Sequence, residues 1–149
     1  MEVKQLYTSC LSEAAYFITS DGEAAVIDPL RDVDAYIEMA AEKGVKIKYI
    51  FETHFHADFV SGHIDLSQKT GAPIVYGPDT NAKFKVHVAA DGEEFKIGKA
   101  TIKVLHTPGH TLESTCYLLS DEQGEPNCVF TGDTLFVGDV GRPDLFSGN

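Results

Sequence analysis

Four side chains in the segment ETHFHADFVSGH, residues 52 to 63, can do chemistry together: His54, His56, Asp58 and His63. The chain holds 6 histidines, and three of them fall within these ten positions. Imidazole and carboxylate groups are the donors that hold divalent transition metals. Side chains two apart in extended chain project to the same side, so His54 and His56 reach one point, and Asp58 continues the alternation. The segment follows YIF, an apolar run with the character of a buried strand. A solvated polar cluster does not explain that placement; a bound ion does.

Two further clusters have the same placement. In IKVLHTPGHT a strand pattern ends at Pro108 and Gly109, which bend the chain and aim His110 away from the sheet edge. In NCVFTGDTLF another ends at Gly132 and Asp133. Three strand ends thus each deliver imidazole or carboxylate, and a metal ion is their common target. His63 follows the first cluster on a helical pattern and reads as a hydrogen-bonded or structural histidine. His87, in FKVHVAA, reads as a strand histidine, and His106 braces the TPGH loop.

Taken in order, THFHADFVSGH, HTPGHT and FTGDTLF closely resemble the metallo-β-lactamase superfamily. Within it, GDTLFVGDVGRPDL resembles most the persulfide dioxygenases, which oxidise the outer sulfur of a small thiol persulfide, such as glutathione persulfide, to sulfite with O2. The resemblance implies metal ligands at His54, His110 and Asp133, two imidazoles and a carboxylate around one Fe(II) per chain. That facial triad leaves positions open for substrate and O2. It further implies catalytic roles beside the metal for His56 and Asp58, which hold water or orient a ligand. Arg142 matches the family's arginine, where a guanidinium fixes the site wall or a carboxylate of the thiol carrier.

Two departures from the family pattern qualify these expectations. Dinuclear hydrolases of the superfamily, such as glyoxalase II, follow the aspartate with a metal-binding histidine, whereas Phe59 stands here. Phenylalanine cannot ligate, which favours one metal over two. A Zn-dependent thioester hydrolase with a single metal is the alternative, and an inactive scaffold of the same fold is a third reading. Full members of the fold have two similar halves, so the resemblance implies the N-terminal portion of an αββα sandwich, as one domain over residues 1–149.

The elements that must position these groups are legible as patterns. VKQLYT, AAYFITS and AAVIDP read as strands, with a turn at SDGE. From a cap at Asp32, a helix places Val33, Tyr36, Ile37 and Ala40 on one face and stops at Gly44. VKIKYIFET is a buried strand, residues 61–69 a second helix ending at Gly71, and APIVYG a short strand. EEFKIG, ATIKVLH, STCYLLS and NCVFTGD complete the strands, and DEQGEPN is a surface turn. The expected class is α/β (α+β), a mixed sheet faced by helices with each polar cluster directly after a strand, where ligands bind in open α/β sheets.

Composition narrows the partners. Twelve basic against 23 acidic residues give a net charge of −11, which repels phosphate backbones and anionic membrane surfaces, so neither nucleic acid nor membrane is an expected partner. Cys10, Cys116 and Cys128, an odd set without C-x-x-C spacing, read as reduced core thiols, and the opening MEVKQLYTSC has no export signal, so the expected location is cytoplasmic. A sheet face left uncovered by a second half tends to associate. Light scattering at micromolar concentration is expected to show a homo-oligomer, and a monomer contradicts that expectation.

Overall fold

A computed structural model describes residues 1–8, 13–53, 62–78, 86–106, 115–131 and 135–137. Three strands open it, β1 (Glu2–Thr8), β2 (Glu13–Ser20) and β3 (Glu23–Ile27), followed by α1 (Asp34–Lys43), β4 (Lys46–Phe51), α2 (His63–Thr70), β5 (Ile74–Tyr76) and β6 (His87–Val88). Then come β7 (Glu94–Ile97), β8 (Ala100–His106), β9 (Thr115–Ser120), β10 (Pro126–Phe130) and β11 (Leu135–Val137). The strands form two sheets, as the αββα sandwich implied by the resemblance requires, rather than the one mixed sheet that the strand patterns alone suggest. The first runs β1-β2-β3-β4-β5-β6, antiparallel up to β3 and parallel beyond it. The second, β11-β10-β9-β8-β7, is antiparallel throughout.

The division follows from connection length. β3, β4 and β5 are joined through helices, which keeps them parallel, whereas β7 to β11 are joined by short connections across which the chain reverses. Both helices lie against the first sheet, so its central strands are buried on two faces. In β3, Ala24 and Val26 face the helices while Ala25 and Ile27 face the second sheet. β4 breaks that alternation: Ile47 and Ile50 are three apart yet both pack on the helix side. A bulge against β3, between Ala24 and Ala25, resets the phase and turns Tyr49 and Phe51 toward the second sheet.

Between the sheets lies an aromatic seam. Phe51 packs on Tyr117 with ring centroids 5.0 Å apart and edge-on to Phe95 at 5.4 Å, and Tyr16 meets Phe130 at 4.9 Å. Offset and edge-on pairs of this kind add about 1 kcal/mol each beyond the area they bury. At the far end of the sandwich the turns of the two sheets are laced together. The Glu23 carboxylate accepts from the Gly98 N–H at 2.7 Å, and Ser20 Oγ accepts from the Lys99 N–H at 3.2 Å.

Other expectations shift in detail. α1 starts after Val33, with no side-chain cap, so Asp32 does not cap it; Asp34 supplies negative charge to the first turn instead. Gly44 ends it as expected, and Tyr36 and Ala40 are its buried residues. α2 begins at His63 rather than residue 61. The LFV after Asp133, which carries no strand signal of its own, is β11, because antiparallel pairing to β10 satisfies a backbone that its own three residues cannot. The outer face of the second sheet carries half-buried Leu105, Cys116 and Leu118.

Cys128 sits in the inter-sheet core at 2 % exposure, and burial pushes its thiol up to about 12. It therefore stays protonated at pH 9, where an exposed thiol is mostly thiolate. Iodoacetamide at that pH is expected to label Cys128 only in denaturant, as read by mass spectrometry of the peptides; rapid native labelling contradicts the buried position.

Candidate functional site

The expected site residues His54, His56, Asp58, His110, Asp133 and Arg142, and the diagnostic Phe59, lie outside the described residues, as does Cys10. Their anchors do not. Segment 54–61 leaves β4 through Glu52 and Thr53 and re-enters at Gly62; segment 107–114 joins His106 of β8 to Thr115 of β9; segment 132–134 joins β10 to β11. All of these anchors stand at one end of the sandwich. The register pairs His106 with Thr115 and Phe130 with both Tyr117 and Leu135. Across the sheets, the Thr115 N–H donates to the Thr53 carbonyl at 3.0 Å.

Three ties fix this end. Tyr117 Oη donates to the Glu52 carbonyl at 2.6 Å, and burial, with the nearby Asp28 and Glu52 carboxylates, holds that phenol protonated well above its usual range. It is thus a permanent donor from the second sheet to the first. The second tie is Asp28, a non-glycine residue at φ 51°, directly after β3. Its carboxylate accepts from the Thr53 N–H at 2.9 Å and from Thr53 Oγ1 at 2.6 Å, while its own N–H donates to the Phe51 carbonyl at 2.8 Å. Aspartate tolerates the left-handed region better than most residues, and two charge-assisted hydrogen bonds outweigh the remaining strain.

The third tie is close approach. A Cβ on Gly77, just after β5, would lie 1.8 Å from Thr115 Oγ1, and one on Gly62 would lie 2.3 Å from the Leu30 carbonyl oxygen. The Gly62 N–H donates to the Pro29 carbonyl at 3.1 Å, and the Leu30 N–H donates to Tyr36 Oη at 2.7 Å. The loop after β3 is thereby clasped to both flanks of segment 54–61.

Between the two described flanks of that segment is a buried polar cluster. Glu52 and His63 are each 0 % exposed; His63 Nδ1 lies 3.9 Å from Glu52 Oε1, and its Nε2 lies 3.4 Å from Tyr76 Oη. His63 is therefore structural, as its position on a helix suggests. His87 is an exposed histidine of β6, 2.8 Å from Glu93, and the His106 N–H donates to Asp91 at 2.9 Å. Among the described residues no group of three or more His, Cys, Asp and Glu makes a metal cage. Sequence reasoning passed over Asp28, Glu52 and Thr53 as supports. Their signal is visible in retrospect: VIDP and YIFET both place a carboxylate at the end of an otherwise apolar strand.

Asp28→Asn retains one acceptor for Thr53 and is expected to cost about 1 kcal/mol, whereas Asp28→Ala loses both and is expected to cost about 3 kcal/mol. Urea unfolding measures the difference; equal and small effects contradict the clasp.

Comparison with known proteins places the architecture. The model of the metallo-beta-lactamase superfamily matches residues 9–149. A probable hydroxyacylglutathione hydrolase, glo2 of Schizosaccharomyces pombe, is 36% identical over 140 residues, covering 91% of this chain and 53% of the relative. The hydroxyacylglutathione hydrolase of Brucella ovis is 38% identical, covering 99% of this chain and 56% of the relative. The chain thus spans about half the length of these relatives. Among solved structures, a metallo-beta-lactamase from Staphylococcus aureus superposes with TM-score 0.81 at 43% identity, over 99% of this chain and 47% of that one. ETHE1 from Myxococcus xanthus superposes with TM-score 0.71 at 34% identity, over 80% of this chain and 54% of that one, which supports the resemblance to the persulfide dioxygenase group. The pair of sheets with helices on the first, the order of the motifs and these matches make one conclusion: the chain belongs to the metallo-β-lactamase superfamily.

Proposed function

We propose that this chain carries the metal-binding portion of an enzyme that hydrolyses a thioester of glutathione or a similar small thiol. The observation that supports this is that the strand ends flanking three motif-bearing segments lie together at one end of the sandwich, in a chain whose curated relatives are named hydroxyacylglutathione hydrolases. Two imidazoles and a carboxylate, from His54, His110 and Asp133, are a donor set that fits a divalent transition metal, zinc for this reaction. When bound, the metal supplies Lewis acidity and a water of lowered pKa. Asp58 and His56 stand near His54 in sequence, where they would orient a water at the metal and hold its proton. Arg142 pairs with a carboxylate of the thiol carrier.

A second reading rests on Phe59 and on the likeness to ETHE1. With a side chain that cannot ligate after Asp58, a second metal lacks a donor, and the same three ligands form the facial triad of a mononuclear Fe(II) site. The reaction is then oxidation of a thiol persulfide by O2.

The two readings separate in one preparation. Protein reconstituted anaerobically with zinc is expected to hydrolyse S-lactoylglutathione, with thiol release followed by a chromogenic disulfide. The iron-loaded form is then expected to show no oxygen uptake with glutathione persulfide. Uptake without thioester hydrolysis establishes the dioxygenase reading. His110→Ala is expected to abolish metal retention, measured by elemental analysis, under either reading.

A further inference from the structure

Segment 54–61 begins and ends on ionisable side chains that no water reaches. Glu52 lies two residues before His54, and His63 lies two residues after Ser61. Both are 0 % exposed, and Nδ1 of His63 stands 3.9 Å from Oε1 of Glu52, an ion-pair distance rather than a hydrogen bond. Tyr76, at 1 % exposure, backs the imidazole with its hydroxyl 3.4 Å from Nε2 and its ring edge-on at 6.1 Å. With the Nδ1 proton turned to the carboxylate, Nε2 is left to accept from Tyr76 Oη.

Neighbouring ties hold the partners still. The Glu52 N–H donates to the Val75 carbonyl at 3.0 Å, and its own carbonyl receives Tyr117 Oη at 2.6 Å. His63 is the first residue of α2, whose entry is fixed by the bond from the Gly62 N–H to the Pro29 carbonyl. A carboxylate and an imidazole in such surroundings are costly, and apolar residues of similar volume there commonly match or exceed their stability. Stability alone therefore does not account for an ionisable pair at the two ends of one segment. Geometry does, because groups that brace a ligand-bearing segment set the positions its donors occupy.

We propose that Glu52 and His63, backed by Tyr76, are positioning residues that clamp the two ends of segment 54–61 and so set the spacing of His54, His56 and Asp58. The inference rests on the reading of that segment as metal-binding. It concerns how the loop is held, and it applies equally to hydrolytic and oxidative chemistry.

The test compares the parent with His63→Leu, with His63→Asn, which keeps a donor toward Glu52, and with the double variant Glu52→Leu/His63→Leu, which restores an apolar match. Three readouts are taken: the Zn(II) dissociation constant by chelator competition, the visible spectrum of the Co(II) form, and amide exchange of residues 54–61 in metal-free protein. His63→Leu and the double variant are expected to weaken zinc binding ten- to a hundredfold, alter the Co(II) bands and speed exchange in 54–61 at least tenfold. His63→Asn is expected to recover affinity to within about threefold of the parent. The double variant guards against a folding artefact, since its urea midpoint is expected to match or exceed that of His63→Leu. A folded double variant with parental exchange in 54–61 overturns the clamp. Parental zinc affinity and Co(II) spectrum in that variant overturn it as well. A folded parent that binds neither zinc nor cobalt overturns the metal reading instead, and the exchange data then decide the clamp by themselves.

Discussion

The two sheets are joined at their working end by one side chain. Tyr117 stacks its ring on Phe51 in the inter-sheet core and sends its hydroxyl to the Glu52 carbonyl, the residue at which β4 gives way to the histidine segment. Burial keeps the phenol protonated, so the bond does not depend on conditions near neutrality. Together with the bond from the Thr115 N–H to the Thr53 carbonyl, this joint fixes the strand ends of the first sheet relative to those of the second.

Around the joint lies a belt of polar groups, buried at Glu52, Thr53, His63, Tyr76 and Thr115 and partly buried at Asp28. Tyr76 also packs in the helix-side core, and each of these groups needs a partner to be tolerated. Here they partner across elements: Asp28 of the β3 end with Thr53 of the β4 end, Thr53 with Thr115 of the other sheet, His63 of α2 with Glu52 and Tyr76. The apolar layers make the sandwich stable, while the belt gives one end of it a single geometry. The far end, laced by Glu23 and Ser20 to the Gly98 turn, is held by ordinary turn hydrogen bonds.

This division of labour suits a superfamily in which one scaffold serves hydrolytic and oxidative chemistry. The strand ends and their polar supports are indifferent to the reaction. What differs is the donor set carried on the connecting segments, and in this chain the informative position is residue 59, where phenylalanine removes a candidate ligand.

The sequence by itself determined the elements and the chemistry-bearing motifs. Period-two alternation marked β8 and β9, glycines marked the ends of both helices, and histidines and aspartates at strand ends marked a candidate site. These are local signals, written within a few residues of the feature they specify. Tertiary structure alone decided the rest. That the strands form two sheets depends on which neighbours pair, and the phase reset that turns Phe51 toward Tyr117 depends on a bulge against β3. Asp28 gave no local hint that it would reach Thr53, 25 residues away. Nor did His63 hint that it would turn inward to Glu52. Those contacts join residues far apart in the chain, and only the closed sandwich brings them within reach.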